Sequence, residues 1–408
     1  MNAPAEFDIV IAGGGMVGAS LAAALAGLPV RVLVVEATPP ADAAQPSYDD
    51  RATAISESSR RILQGIGCWD ALAPAAAPIR SIHVSERGAF GVTRLRAAEH
   101  GLASFGCVVE NRALGEVLWR RLQDEPGLTT WVPAKVTGIT QGQDEITVRV
   151  DRGEGEETVV TARLLVAADG ARSPTRALAG IAAAKREYGQ VAVIANLTPA
   201  VDHEGTAFER FTPSGPLAVL PLTRGRATIV WTLAPERAAG VMALDDAAFL
   251  AEFQLAFGYR LGLFRKVGRR ASYPLALVQA VDWHLGRVAL AGNAAHGIHP
   301  VAGQGFNLGL RDAAALAELV ARRPGDPGHP ALLEEYAEWR EADRARTVRD
   351  TDSLVQVFTS ELPTLRAGRR LGLVGMDLLP PARALVARRG MGLAGRLPRL
   401  ALGQGLGP

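Results

Sequence analysis

The stretch Phe7-Asp-Ile-Val-Ile-Ala-Gly13-Gly-Gly-Met-Val-Gly18, continued by Ala19-Ser-Leu-Ala-Ala-Ala-Leu-Ala26 and Arg31-Val-Leu-Val-Val-Glu36, decides how this chain folds. A short apolar, β-branched run, a glycine loop, a helix-forming segment and a second apolar run spell a βαβ unit. In that setting Gly13, Gly15 and Gly18 have distinct uses: a tight turn, close backbone approach to a pyrophosphate, and close packing of helix on strand. The helix that follows directs free N–H groups and its positive end at phosphates. Glu36 closes the second strand, where a carboxylate accepts hydrogen bonds from ribose hydroxyls and disfavours a 2′-phosphate. These residues predict a dinucleotide-binding domain. The uncharged run from Ile9 to Val30 has the length of a membrane span, but its glycines and Pro29 speak against one.

Working outward, residues 51–72 read as helical, and residues 112–123 as a helix with Leu114, Leu118 and Leu122 on one face. Residues 38–50 read as a surface loop and residues 131–150 as strands. Leu164-Leu-Val-Ala-Ala-Asp169-Gly170 is a buried strand ending in an acidic turn. Residues 207–211, 217–221 and 227–232 alternate as strands between turns, which predicts an antiparallel, mostly β insertion. Arg287-Val-Ala-Leu-Ala291 returns to a buried strand, and residues 305–321 form a long helix. Between these two lies Gly292-Asn293-Ala-Ala-His296-Gly-Ile-His299-Pro300-Val-Ala-Gly303-Gln-Gly305-Phe306-Asn307, where a strand end and a helix N-terminus frame one loop. That helix end would stabilise negative charge on a group bound in the loop.

The chain has 408 residues, 48% hydrophobic and 21% charged, with a net charge of +2. This is the balance of a soluble globular protein with no broad attraction to nucleic acid. Cys68 and Cys107 form neither a disulfide framework nor a metal or redox pair, and the N-terminus lacks a basic signal segment, so a cytoplasmic location is expected. His296 and His299 stand three apart without a third ligand at ligand spacing, so no metal is expected. No Gly-x-Ser-x-Gly elbow or Walker loop occurs, and no catalytic residue can be named.

Three of these segments together resemble the class A flavoprotein aromatic hydroxylases, the para-hydroxybenzoate hydroxylase fold. Gly13–Gly18 is similar to the first motif of that group, Asp169-Gly170 to its DG motif and Gly292-Asn293 to its GD motif. Asp50-Arg51-Ala-Thr-Ala-Ile55, Val108-Val-Glu-Asn111, Pro216-Leu-Ala-Val-Leu-Pro221 and His299 to Asp312 extend the likeness to the ubiquinone-biosynthesis hydroxylases, over nearly the whole length. Asn293 departs from the usual aspartate. An asparagine carbonyl still accepts a ribityl hydroxyl, and this variant is similar to the 2-polyprenyl-6-methoxyphenol hydroxylase member.

The resemblance implies an α/β fold: a Rossmann-like FAD-binding domain from residues 1–80, 100–180 and 280–345, an inserted antiparallel β-sheet substrate domain from 81–99 and 181–279, and a C-terminal helical tail from 346–408. It implies that Glu36 binds the adenosine ribose, and that Arg51 and Asn111 reach the ribose, pyrophosphate or ribityl region. Asn293 meets the ribityl chain, and Pro300, Gly303, Gly305, Phe306 and Asn307 line the isoalloxazine. Asp169 stands between a cofactor contact and the cap of a turn. The implied reaction is hydroxylation of a polyprenylated phenol by FAD, NAD(P)H and O2 through a C4a-hydroperoxyflavin, with 2-polyprenyl-6-methoxyphenol giving the 1,4-benzoquinol as the expected case. Another ring position or phenol is the alternative, and a silent flavin-fold subunit of a lipid-processing complex is the alternative outside enzymes. The tail carries Arg366, Arg369, Arg370, Arg383, Arg388, Arg389, Arg396 and Arg399, opposed by Glu361 and Asp377. It reads either as a docked segment with a solvated basic face or as a peripheral contact with the inner membrane or a multi-enzyme complex of the ubiquinone pathway.

Overall fold

The computed structural model describes residues 5–40, 42, 45, 51–89, 91–153, 155, 157–359 and 379–407. β1 (Ala5–Ala12) lies inside an eight-stranded sheet because Ile9, Val10 and Ile11 are apolar on both faces and find cover on both. The order is β18 (His284–Leu285), β19 (Val288–Leu290), β11 (Glu157–Ala167), β1, β2 (Val32–Val35) and β8 (Leu128–Trp131). The pairs from β19 to β8 are parallel. β10 (Ile146–Asp151) and β9 (Lys135–Gln141) fold back antiparallel from β11. Against this sheet α1 (Met16–Leu25) packs between α4 (Asn111–Gln123) and α8 (Gln304–Arg322), and the whole forms one apolar core. The short helices α3 (Trp69–Leu72) and α5 (Pro174–Leu178) lie at its margins.

A second sheet of nine strands runs β20 (His296–Gly297), β17 (Ala271–Ala280), β12 (Ala183–Pro199), β15 (Ala227–Leu233), β14 (Gly215–Pro221), β13 (Thr206–Thr212), β5 (Ser81–Glu86) and β6 (Val92–Arg96), with β16 (Phe264–Val267) paired to β12. Its one parallel pair joins β13 to β5, which brings in a segment from the first quarter of the chain. One face is sealed by α6 (Pro235–Ala243) and α7 (Asp246–Phe257): Phe208, Leu217, Ile229 and Trp231 pack on Val241, Phe249, Phe253 and Phe257. On the other face Ile194, Ala218, Leu220 and Val230 are apolar yet only half-buried.

Residues 51–72 are not helical throughout. Ala52–Ser56 is strand β3, paired antiparallel with β7 (Gly106–Glu110), which also pairs β4 (Ala77–Pro78). The β-branched Thr53 and Ile55 fit a ladder, and the helix α2 (Glu57–Gly65) begins only after Ser56, whose hydroxyl accepts from the Ser59 N–H at 3.4 Å. α9 (Pro330–Thr359) runs unbroken through position 346, so the tail starts inside a helix. Further on, α10 (Pro380–Gly390) leads to Leu400 and Ala401, which are buried in the main core beside α2. Most of the 38–50 loop, and the tail arginines at 366, 369 and 370, lie outside the described residues. No helix among the described residues is long and apolar enough to cross a membrane.

Candidate active site

The glycine loop is shaped by contacts that a side chain would destroy. Gly13 has φ +101°, and a Cβ there would lie 2.7 Å from the Ala168 carbonyl oxygen; one on Gly18 would lie 1.9 Å from the Gly13 oxygen. The turn at Ala168-Asp169 therefore rests directly on the loop. Gly15 is the N-cap of α1, and no side chain caps that helix end among the described residues, so its first N–H groups face outward. The buried Glu36 carboxylate accepts from the Gly14 N–H at 2.5 Å and the Thr38 N–H at 2.8 Å. Trp119 of α4 donates from Nε1 to the Gly14 carbonyl at 3.1 Å, clamping the loop from the other side.

Asp169 works as a cap. One carboxylate oxygen accepts from the Ser173 hydroxyl and the other from the Thr175 N–H at 2.9 Å, holding the start of α5. Asn293 is different: it is exposed and has no protein hydrogen bond among the described residues. It stands at the crossing of α1 and α8, where a Cβ on Gly292 would meet Val17 at 2.9 Å and one on Gly309 would meet the Gly292 Cα at 3.0 Å.

Beneath this turn lies a buried charge network. Asp312 accepts from the Gly292 N–H at 3.0 Å and from Arg340 Nε at 2.7 Å, and pairs with His296 Nε2 at 2.7 Å. Arg340 also donates to Asp343 at 2.7 Å, as does Arg311. Burial pushes both carboxyls up, but the bases beside them prevail: His296 and Arg340 hold Asp312 below its ordinary range, and Arg311 and Arg340 hold Asp343 well below it. His296 and Asp312 stand sixteen residues apart, and no local pattern links either to Arg340 or Asp343. Sequence reasoning left this network out; the one signal was Asp312, polar amid the apolar face of a long helix.

The loop before α8 is held from below. Asn307 donates from Nδ2 to the carbonyls of Ala54 (2.8 Å) and Gly303 (2.7 Å), and its Oδ1 accepts from the Ser56 N–H (2.9 Å). Its amide is thus spent on joining α8 to β3. Gly303, at φ +61°, lies so close that a Cβ would sit 2.9 Å from that of Ala54. Pro300, Gly305 and Phe306 are half-buried around it, and no side chain caps α8 among the described residues. His299 is buried with its ring edge-on to Tyr188 at 5.0 Å, and burial pushes its imidazole down to about 4, which keeps it neutral.

Asn111 accepts from the Thr53 hydroxyl at 2.7 Å, and its Nδ2 makes no protein hydrogen bond among the described residues. Arg51 lies 4.7 Å over the Tyr273 ring of the second sheet. A further clamp between the sheets, unseen in sequence, is Glu110 with Arg226 (2.9 and 2.8 Å). Glycine loop, Glu36, Asp169 turn, Asn293 and the 300–307 loop therefore border one continuous surface around the N-termini of α1 and α8, with Arg51 and Asn111 at the edge facing the second sheet.

Uncapped helix ends, a glycine cradle that admits no Cβ, the Asn111 Nδ2 and the Asn293 amide, both without a protein partner among the described residues, fit an extended flavin dinucleotide. Fold and site together define an FAD-dependent monooxygenase. The chain belongs to the FAD binding domain family, whose model matches residues 6–351. It is 40% identical over 402 residues to ubiquinone hydroxylase UbiL of Rhodospirillum rubrum, covering 97% of this chain and 92% of that one. It is 36% identical to 3-demethoxyubiquinol 3-hydroxylase of Escherichia coli, covering 92% and 95%. Among solved structures, p-nitrophenol 4-monooxygenase PnpA of Pseudomonas putida shares the fold at a TM-score of 0.78 and 21% identity, over 96% of this chain and 99% of that one.

Proposed function

We propose that this protein hydroxylates the ring of a polyprenylated phenol in ubiquinone biosynthesis, consuming NAD(P)H and O2, with 2-polyprenyl-6-methoxyphenol converted to the 1,4-benzoquinol. The observation that carries this reading is the half-open apolar face of the nine-stranded sheet, set beside the Gly303–Asn307 loop in a chain similar end to end to ubiquinone hydroxylases. The likeness to 3-demethoxyubiquinol 3-hydroxylase supports a second reading, the same chemistry at another ring carbon.

When bound, FAD supplies the two-electron reduction of O2 by NAD(P)H and delivery of one oxygen atom to the ring. In this reading Glu36 takes the adenosine ribose, and Gly13, Gly15 and Gly18 with the α1 N-terminus take the pyrophosphate. Asp169 keeps its turn pressed on that loop. Arg51 and Asn111 reach the cofactor from the second-sheet side, and Asn293 accepts from the ribityl chain. Pro300, Gly303, Gly305 and Phe306 line the isoalloxazine, with Asn307 bracing them through β3. The uncapped N-terminus of α8 stabilises negative charge on the reduced ring. Apolar walls at Ala218, Leu220 and Val230 hold the substrate ring and exclude water. The exposed Leu385 and Val386 beside Arg388 on α10 support a peripheral membrane contact for a prenylated substrate.

Mass spectrometry of quinone-pathway lipids in a deletion strain, with and without the restored chain, tests this. Accumulation of a polyprenyl-methoxyphenol that disappears on restoration is the expected result. A different accumulating intermediate moves the reaction to another carbon, and normal ubiquinone with no intermediate refutes a necessary role in the pathway.

A further inference from the structure

β13 alternates between two environments. Phe208 points into the cluster sealed by α7, and Ala207 packs on the opposite side with Ile79, Leu220, Ala52 and Ala54. The pleat puts Glu209 on the Ala207 side. There it lies opposite Ala218 of β14 and Val84 of β5, with Val230 one strand further on. Ala207, one side-chain step away, shares its cluster with Ala54, the residue that touches Gly303 and accepts from Asn307. Glu209 thus stands on the half-open face that continues into the loop before α8.

Among the described residues Glu209 has no hydrogen-bond or ion-pair partner, although apolar groups surround it and it is only half-exposed. Other shielded carboxylates here are paired: Glu110 with Arg226, Asp312 and Asp343 with Arg340. A carboxylate among apolar walls without a partner is costly to the fold, which points to use on a ligand. Burial alone acts on its carboxyl and pushes it up to about 7. β13 is flanked by β14 and β5 and packed by α9; the charged and titratable groups on these elements nearest it in the fold include His83 and Glu86 on β5 and Arg349, Asp350 and Asp352 on α9. None of them shifts Glu209.

We propose that Glu209 is the proton acceptor for the phenolic hydroxyl of the substrate; this rests on the ring-hydroxylase reading above. The phenol O–H bond breaks, its proton passes to the Glu209 carboxylate, and the electron pair stays on oxygen and enriches the ortho and para carbons. A ring carbon then takes one oxygen atom from O2, with NAD(P)H as reductant. The ring C–H proton is lost, Glu209 returns its proton to the phenolate oxygen, and the second oxygen atom leaves as water. Overall, phenol, O2, NAD(P)H and one proton give dihydroxybenzene, NAD(P)+ and water. A carboxylate with raised proton affinity is a stronger base than an exposed one, and at about 7 roughly half of it is ionised at neutral pH.

The test uses the full chain loaded with FAD and 2-allyl-6-methoxyphenol as probe. Glu209→Gln is expected to keep FAD, to bind the phenol within about threefold, and to form product on the order of 100–1,000-fold more slowly. It is also expected to lose the phenolate absorbance that wild type develops on binding, together with the inflection of rate near pH 7. A ring-fluorinated, more acidic phenol restores part of the lost rate. If wild type hydroxylates the probe and the variant matches it in rate and pH profile, Glu209 is not the base and the hydroxylase reading stands. If wild type neither binds nor hydroxylates the phenol, both fall. Glu209→Met guards against a structural role: removing an unpartnered carboxylate should leave the melting temperature unchanged or raised, and a clear drop overturns the proposal.

Discussion

Replacing Asp312 with asparagine keeps the shape of the side chain and removes its charge. One carboxylate oxygen faces Arg340 Nε at 2.7 Å; the other faces the Gly292 N–H at 3.0 Å and His296 at 2.7 Å. Whichever way the amide turns, its NH2 group meets a donor. Arg340, fully buried, would be left with Asp343, which it already shares with Arg311. Breaking such a buried pair costs about 3–5 kcal/mol, a large share of a typical total of about 5–15 kcal/mol. At about 2 °C per kcal/mol for a chain of this size, the melting temperature should fall by about 6–10 °C. The Gly292 turn carries Asn293, so weakening its charge-assisted bond by about 1 kcal/mol should weaken FAD binding roughly fivefold. Differential scanning fluorimetry of the apo protein and titration by quenching of flavin fluorescence measure the two effects. Asp343→Asn is the control, because it disturbs the shared Arg340 without touching Gly292 and should destabilise without a matching loss of FAD. Melting within about 1 °C of wild type, or equal loss of FAD in both variants, would refute this account of the network.

Other outcomes follow from neighbouring features. Asp312 and Asp343 are both held below their ordinary range in the fold, so their contribution is full above about pH 4, where the unfolded chain's carboxyls ionise, and is lost as pH falls further. The urea midpoint should therefore drop between pH 5 and 3, less steeply in Asp343→Asn; a flat profile contradicts this. Gly303→Ala places a Cβ in a left-handed backbone and against Ala54, so it should cost about 1–3 kcal/mol and shift the visible flavin spectrum, and an unchanged spectrum counts against the loop's place beside the ring. Paired Leu385→Glu and Val386→Glu on α10 should reduce flotation with anionic liposomes several-fold, whereas equal flotation rejects the membrane contact. These point changes are preferable to truncation, which would remove Leu400 from the core.

Much of this molecule was legible because local chemistry and tertiary role agree. The glycine loop, Glu36 and the helix at 305–321 announce themselves through spacing, and each stands in the element that spacing predicted. Ala52–Ser56 was misread because its ladder partner, β7, comes about fifty residues later and only pairing distinguishes strand from helix in so short a run. Asn307 was expected at the flavin ring; that its amide also joins α8 to β3, across some 250 residues, is a contact no window can see. Asp169 carried two readings, and its carboxylate does serve as a cap. Glu209 was invisible for a simpler reason. In sequence it is one acidic residue in Phe208-Glu-Arg, and only the pleat tells which face it meets.

The placement of β19 and α8 has a consequence for how the chain is born. Strand 288–290 completes the parallel sheet, and residues 304–322 cover α1, so half of the nucleotide cradle is made from chain that emerges late. Translation at about 5–20 residues per second needs roughly 15–65 s to reach position 322. Until then β1, α1 and β2 expose the apolar surfaces that α8 will hide, and no cofactor can template them. Segment 81–96 likewise waits for β13 to be made. Assembly is thus set by long loop closures, and the cradle around Gly13–Gly18 is complete only once this late layer has docked.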